Sequence, residues 1–292
     1  MTVHFIGAGP GAPDLITVRG LRLLQSCPVV LYAGALVPDE LLAECRPGAR
    51  LVDTAHLDLD QIMGELVRAH EAGQDVARLQ SGDLSVFSAV AEQVRRLEAA
   101  GIDYVMVPGV PAFAAAAAAL GRELTVPTVG QTIILTRLSR NASAMPEHET
   151  ISTLGRSRAL IALHLATHLA DEAVEELAPH YGLDCPAAVV AMASRPEQVV
   201  WRGTLGELGD AVRDHGLRRT AIILVGQVLA ASQFRDSHLY STERERHDCA
   251  LPPPIAPAIT PASPSVPPIT PASPPDPPAS PSVPPVAGQR GT

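Results

Sequence analysis

Short runs of β-branched residues alternate along this chain with stretches whose apolar positions recur every three to four residues. The first half predicts strands at Val3–Ile6, Val29–Tyr32, Arg50–Val52, Asp75–Leu79 and Tyr104–Val107, each short and rich in Val, Ile, Leu or Tyr. Between them the pattern predicts helices at Thr17–Gln25, from Pro38-Asp39 onward, at Leu59–Ala72 and at Ala89–Ala100. The third of these carries Ile62, Met63, Leu66, Val67 and His70 at helical spacing. The almost pure alanine run Phe113–Leu120 predicts a further helix. Strands separated by helices in this order specify a parallel sheet covered by helices.

The pattern restarts after Gly121. Strands are predicted at Thr132–Leu135, Ala159–Leu165, Ala187–Met192, Val199–Arg202 and Ala221–Val225, and helices at Leu169–Pro179 and Leu205–His215, while Ser139–Glu149 reads as a polar loop. Two strands in direct succession around Pro196 predict a mixed sheet. The expected architecture is therefore α/β, with two α/β domains at 1–121 and 122–247 and their boundary in the Pro/Gly-containing connector Gly121–Pro127. Residues 248–292 are a different text, nearly all Pro, Ala, Ser and Val, in which Ile259–Pro264 recurs at Ile269–Pro274. Such a composition cannot bury enough apolar area to offset its ordering entropy, so a disordered tail with polyproline II bias is expected.

Aromatic residues are only 3% of the chain, which leaves Ala, Val, Leu and Ile to fill the cores. The net charge of −9 and the absence of any Lys/Arg run argue against nucleic acid as a partner. Cys27, Cys45, Cys185 and Cys249 are widely spaced without a Cys-x-x-Cys pair, so neither a zinc knuckle nor a redox motif is expected. His164 and His168 stand four apart, but a strand end and a helix start would point them differently, and no metal is expected. No basic leader opens the chain and no apolar run reaches the length of a membrane span, from which a cytoplasmic protein without membrane partners is expected.

The first chemical signal is Gly7-Ala8-Gly9-Pro10-Gly11-Ala12, directly after the first strand. A dinucleotide site needs a helix beginning at the glycines and an acidic residue about 20 positions on. Here Pro10 and Pro13 remove N–H donors, the helical pattern waits until Thr17, and the second strand ends in Tyr32-Ala33-Gly34 without an acid. Instead Val3–Arg19 (VHFIGAGPGAPDLITVR), Val76–Gln93 (VARLQSGDLSVFSAVAEQ) and Val107–Ala116 (VPGVPAFAAA) resemble three ordered blocks of the tetrapyrrole methylase family. One departure is Leu84, where relatives usually carry Pro after the Asp.

The blocks also have a meaning of their own, because each lies at the carboxyl end of a predicted strand, where parallel sheets present loops to ligands. Gly82 would let the backbone approach a bound molecule closely, and Asp83 would either cap a helix or accept hydrogen bonds from a ligand. The small residues from Pro111 and Ala112 onward leave room for a flat ring or let a helix pack tightly.

The resemblance implies a tetrapyrrole-methylase-like fold, S-adenosylmethionine folded in a cleft between two α/β domains, a small tetrapyrrole substrate and a homodimer. Carried over position by position, it implies cofactor contacts at Pro10, Ser81, Gly82, Asp83, Val86, Pro111 and Ala112 in the first domain, and at His164, Ala193 and Ala221 in the second. Val29–Val37 (VVLYAGALV), Gln131–Arg140 (QTIILTRLSR) and Met145–Thr150 (MPEHET) resemble the subgroup that methylates carbon 11 of a corrin precursor. Uroporphyrinogen methylases usually have Asp where Ala33 stands, so the general base is unassigned. Tyr32, Arg137 and Arg140 are the candidate substrate contacts, the arginines as bidentate partners of the macrocycle's carboxylates.

Overall fold

The structure, a computed structural model, describes residues 1–138, 144–217 and 220–238; Arg140, Cys249 and the proline-rich tail lie outside the described residues. The first half contains β1 (Thr2–Gly7), α1 (Val18–Ser26), β2 (Val29–Tyr32), α2 (Asp39–Leu42), β3 (Arg50–Asp53), α3 (Leu59–Glu71), β4 (Val76–Gln80), α4 (Ala91–Ala99), β5 (Asp103–Val107) and α5 (Ala112–Leu120). The second contains β6 (Ile133–Arg137), α6 (Ile151–Gly155), β7 (Leu160–His164), α7 (Ala170–Tyr181), β8 (Pro186–Ala191), β9 (Val199–Thr204), α8 (Leu208–Asp214) and β10 (Ala221–Val225). Both sheets belong to one compact unit.

The first sheet has the order β3-β2-β4-β1-β5 and every pairing in it is parallel. β4 is buried along its whole length, as a central parallel strand should be. Its two faces carry separate cores. Val3, Phe5, Val29, Leu31 and Val76 meet α3 and α4 on one side, while Ile6, Val30, Ala77 and Leu79 meet α1 and the Val37–Leu41 segment on the other. α3 opens with a full capping box, in which Asp58 accepts from Gln61 N and Gln61 returns the bond to Asp58 N.

The second sheet has the order β6-β7-β10-β8-β9, with β6 parallel to β7 and all other pairs antiparallel. It is the mixed sheet that the closely spaced strands around Pro196 imply. The short α6 falls between the expected polar loop Ser139–Glu149 and the following strand, where the sequence reading names no element, because five residues are too few to show a period.

α5 belongs to the first half by chain order, yet its alanines pack on the second sheet. Ala115, Ala116 and Leu120 share a core with Leu160, Ala162, Ala188, Val190, Ile222 and Leu224. Alanine is what lets the helix lie this close, and Gly121 in the left-handed conformation ends it. Ala116 is fully buried in that seam. Ala116→Leu is expected to destabilise the protein by about 1–3 kcal/mol through overpacking, read as a lower urea midpoint; an unchanged midpoint would mean that the helix is not clamped there.

Candidate active site

Gly7 pairs with Gln80, and Ile6 with Val107, so β1, β4 and β5 end level and their loops leave one edge together. The loops then bond to one another. Gly82 N donates to Gly9 O at 2.7 Å and Gly9 N donates to Gly82 O at 3.1 Å. Side chains would not fit between them: a Cβ on Gly7 would lie 2.6 Å from Gly109 N, and one on Gly109 would lie 2.2 Å from Gly82 O. Gly82 itself has a φ of +69°, the region that favours glycine, and a Cβ there would lie about 4 Å from the Val110–Ala112 backbone. The glycines near positions 9, 82 and 109 therefore build one cradle.

Asp83 ties that cradle. Its Oδ2 accepts from Gly109 N at 2.8 Å, and its Oδ1 accepts from Ser85 N at 2.9 Å and from the Ser85 hydroxyl. Partial burial pushes its carboxyl upward, but the bonds from Ser85, Gly109 and Leu84 outweigh this and hold it below the usual carboxylate range. It does not cap a helix, since α4 begins only at Ala91 with Val90 at the cap position.

The second sheet presents its own edge. Arg137 is in register with His164, His164 with Ile222, and Ala221 with Ala191. Leu160 and Ala162 face α5, and by strand alternation so does His164. Ala221 does not: its side chain packs with the opposite core beside Ile223 and Val225, so only its backbone is turned to this edge. His168 is exposed in the turn that follows, well separated in environment from the half-buried His164. Among the described residues no cluster of three or more His, Cys, Asp or Glu side chains could hold a metal.

Side-chain and backbone contacts also join the two halves at these edges. The Phe87 ring, on the Gly82 loop, lies 5.1 Å from the His164 ring. Ala12 N donates to Ser194 Oγ at 2.9 Å, and a Cβ on Gly11 would lie 2.9 Å from Ala193 O. Pro10, Gly82, Asp83, Pro111, Ala112, His164 and Ala193 are thus linked, directly or through a chain neighbour, in one cluster of loops. Ser81 and Val86 lie on the same loop as Gly82, both half-buried. Backbone strain gathers here as well: of eight non-glycine residues with positive φ among those described, Phe87, Ala89, Leu165, Met192 and Ser194 sit in these loops.

His164 Nε2 is buried and finds no hydrogen-bond partner among the described residues. Desolvation lowers the pKa of the ring, which is therefore neutral at pH 7. A buried polar atom without a partner, beside the Phe87 ring of the Gly82 loop, fits a ligand that brings both a polar edge and a flat face. The thiols stand apart from this chemistry: burial raises Cys27 to about 12 and Cys185 to about 11.

Tyr32 ends β2 and packs half-buried against the first-half core. Its carbonyl accepts from Thr54 N and Thr54 Oγ1 at 2.8 and 2.9 Å, and Thr54 Oγ1 in turn accepts from Arg78 Nη1 at 3.0 Å. Arg78 is 3% exposed and meets neutral partners, Thr54 and Gln93, so burial lowers it to about 10 while it keeps its charge. Gln93 also donates to Ala89 O at 2.7 Å. One buried cation therefore braces both the Tyr32 end of β2 and the strained Phe87–Ala89 loop. Sequence reasoning missed Arg78, Phe87, Ser194 and Arg195. The last two follow a strand end by three and four residues, which was the available signal.

Comparison with known proteins fits this geometry. The family profile described as Tetrapyrrole (Corrin/Porphyrin) Methylases matches residues 2–209. The precorrin-4 C(11)-methyltransferase of Rhodococcus erythropolis is 63% identical over 246 residues, covering 84% of this chain and 99% of the relative. The crystal structure of a cobalt precorrin-4 methyltransferase, a cobalamin biosynthetic enzyme, is 40% identical with a TM-score of 0.76, covering 78% of this chain and 95% of that one. Uroporphyrin-III C-methyl transferase from Thermus thermophilus, solved with S-adenosylhomocysteine, superposes with a TM-score of 0.68 at 27% identity, covering 79% and 99%. With the glycine loops of the first half joined to strand ends of the second and this breadth of likeness, the chain belongs to the tetrapyrrole (corrin/porphyrin) methylases.

Proposed function

We propose that this protein transfers a methyl group from S-adenosylmethionine to carbon 11 of precorrin-4, giving precorrin-5 in cobalamin biosynthesis. The observation that carries the reading is the joining of the Gly9, Gly82 and Gly109 loops of one half with the Ala193 and His164 strand ends of the other. The likeness at 63% identity to a precorrin-4 C(11)-methyltransferase supports the substrate, and the complex of a relative with S-adenosylhomocysteine supports the methyl donor. The likeness to the enzyme named for cobalt precorrin-4 is weaker, at 40% identity, which favours the metal-free substrate.

In this reading Pro10, Ser81, Gly82, Asp83, Val86, Pro111, Ala112, His164 and Ala193 bind the methyl donor, with Ala221 contributing through its backbone. When bound, the donor supplies an electrophilic methyl on a sulfonium. The protein's part is positioning: the glycine cradle admits close backbone approach, and neutral His164 offers its buried Nε2 without adding charge near a cation. The pyrrole-derived carbon is itself electron-rich and attacks in line with the departing sulfur. Tyr32 and Arg137 face the macrocycle, Arg137 standing beside His164 in the sheet register so that its guanidinium can pair with a peripheral carboxylate. Arg140 has the same role on the following segment, which lies outside the described residues. The two α/β domains at 1–121 and 122–247 then form the walls, and the protein works as a cytoplasmic homodimer.

Incubating the purified protein with S-adenosylmethionine and precorrin-4 is expected to give a product heavier by one methyl, with the new carbon placed at position 11 by nuclear magnetic resonance. Cobalt-precorrin-4 is expected to react more slowly. An enzyme inert toward both but active on another tetrapyrrole would sink the substrate assignment while leaving the family intact.

A further inference from the structure

We infer that Arg195 is a positioning residue that fixes the wall against which the macrocycle seats. The inference rests on the functional reading above, and it concerns a residue that neither the sequence blocks nor the cradle includes. Arg195 follows β8 in the second half, but its Nη2 reaches into the first half and donates to two consecutive carbonyls, Ala35 O at 3.2 Å and Leu36 O at 2.9 Å. These carbonyls belong to the short turn Gly34–Leu36, directly after Tyr32 and within the stretch whose residues resemble the carbon-11 subgroup.

The turn is pinned from its other side by its own half. Gly34 has a φ of +51°, and a Cβ there would strike the Ala55 side chain at 2.8 Å. Ala55 N is fixed by Asp53, and Thr54 holds Tyr32 O. Arg195 supplies the opposite grip, from a base that is itself rigid. Its N–H donates to Met192 O, its carbonyl accepts from Gln198 N, and Ser194 N donates to Gln198 Oε1.

The arginine stem is fitted to the glycine-rich loop as well. A Cβ on Gly11 would lie 2.5 Å from Arg195 Cγ and 2.9 Å from Arg195 Nε, so a side chain at position 11 and this arginine cannot coexist in place. Nε is buried without a hydrogen-bond partner among the described residues. An arginine accepted at that cost is held there by what its far end does. Three segments thereby become one wall: the Pro10–Ala12 loop on the donor side, the Met192–Arg195 turn, and the Gly34–Leu36 turn on the macrocycle side. Leu36 is 43% exposed, an apolar side chain held out at that wall, where a flat macrocycle would rest on it. The distance from donor to macrocycle is then set by the arginine, which makes Arg195 a determinant of affinity for the tetrapyrrole and of which ring carbon meets the methyl.

The test compares wild type with Arg195→Met and Arg195→Lys. Methionine keeps the stem and removes both bonds; lysine offers a single point charge in place of the planar donor. For Arg195→Met the expected result is an S-adenosylhomocysteine Kd within threefold of wild type, a KM for precorrin-4 raised about tenfold, as the loss of one to two modest hydrogen bonds implies, and a product mixture no longer confined to carbon 11. Arg195→Lys is expected to fall between the two. An unchanged KM with a single product in Arg195→Met would overturn the inference, as would a loss of S-adenosylhomocysteine affinity as large as the rise in KM. If the methionine variant does not fold, the lysine variant is read by the same criteria. Wild type is assayed first: its failure with precorrin-4 counts against the substrate reading alone, and the comparison is then made with the tetrapyrrole it does methylate.

Discussion

Gly109→Ala is expected to remove most methyl transfer and most affinity for S-adenosylhomocysteine, and to lower the thermal midpoint by several degrees. A methyl group at this position would stand 2.2 Å from Gly82 O and 2.8 Å from both Gly7 C and Gly7 Cα. All three atoms are backbone, so no rotamer change relieves the overlap. The loops must part by about 1 Å, and a displacement of that size at a site that works by orientation costs about a hundredfold in rate. The overpacking itself costs about 1–3 kcal/mol, a shift of about 2–12 °C for a chain of this size. Gly64→Ala serves as the control. It lies inside α3 with open space around its Cα, so alanine there is expected to raise the midpoint slightly and leave binding alone. Should Gly109→Ala bind S-adenosylhomocysteine as wild type does, the three loops do not form a common cradle.

The contrast between those two glycines shows what the sequence could and could not reveal. Periodicity placed the elements well: Ala221–Val225 and Val29–Tyr32 are strands over the stretches expected, because each is a dense apolar run bounded by polar or turn residues. Motif resemblance placed the glycine loops at the strand ends, and the register of β1, β4 and β5 brings them together. Contacts between halves are another matter, since nothing local in Ser194-Arg195 announces partners at Ala12 and Leu36 more than 150 residues away. Nor does an alanine run say which sheet it will cover, and α5 covers the second although the chain order groups it with the first. Ala221 illustrates the same limit at single-residue scale. Its strand was legible, but the face its side chain takes depends on the strand's place between β7 and β8. Arg78 was hidden by its own strand, for a buried cation in a central parallel strand contradicts the pattern and is intelligible only once Thr54 and Gln93 are seen around it.

Asp83→Asn is expected to weaken binding of S-adenosylhomocysteine by roughly tenfold to a hundredfold, even though the side chain keeps its shape. The carboxylate accepts on both oxygens, from Ser85 on one and from Gly109 N on the other. An amide replaces one acceptor by a donor, which sets two N–H groups against each other on one side, whichever way the group is turned. The loss of a charge-assisted bond is worth about 1.5–3 kcal/mol, the origin of the expected factor. The pH dependence has a definite sign. Because the folded-state pKa lies below the ordinary carboxylate value, the contribution of Asp83 is complete above that ordinary value and is lost as pH falls through the lowered folded one. Wild-type loop stability is therefore flat from neutral into weakly acidic solution and falls only in strong acid, whereas Asp83→Asn lacks this step. Two roles for the residue separate cleanly. If Asp83 acts by tying loops, the Gly109 amide exchanges with solvent faster in the variant without any ligand present, and the unliganded protein melts lower. If it acts only by touching the donor, both properties match wild type and the defect appears on binding alone. Faster exchange at Gly109 in the unliganded variant is the expected result, since its hydrogen bond to Asp83 is already made in the protein by itself.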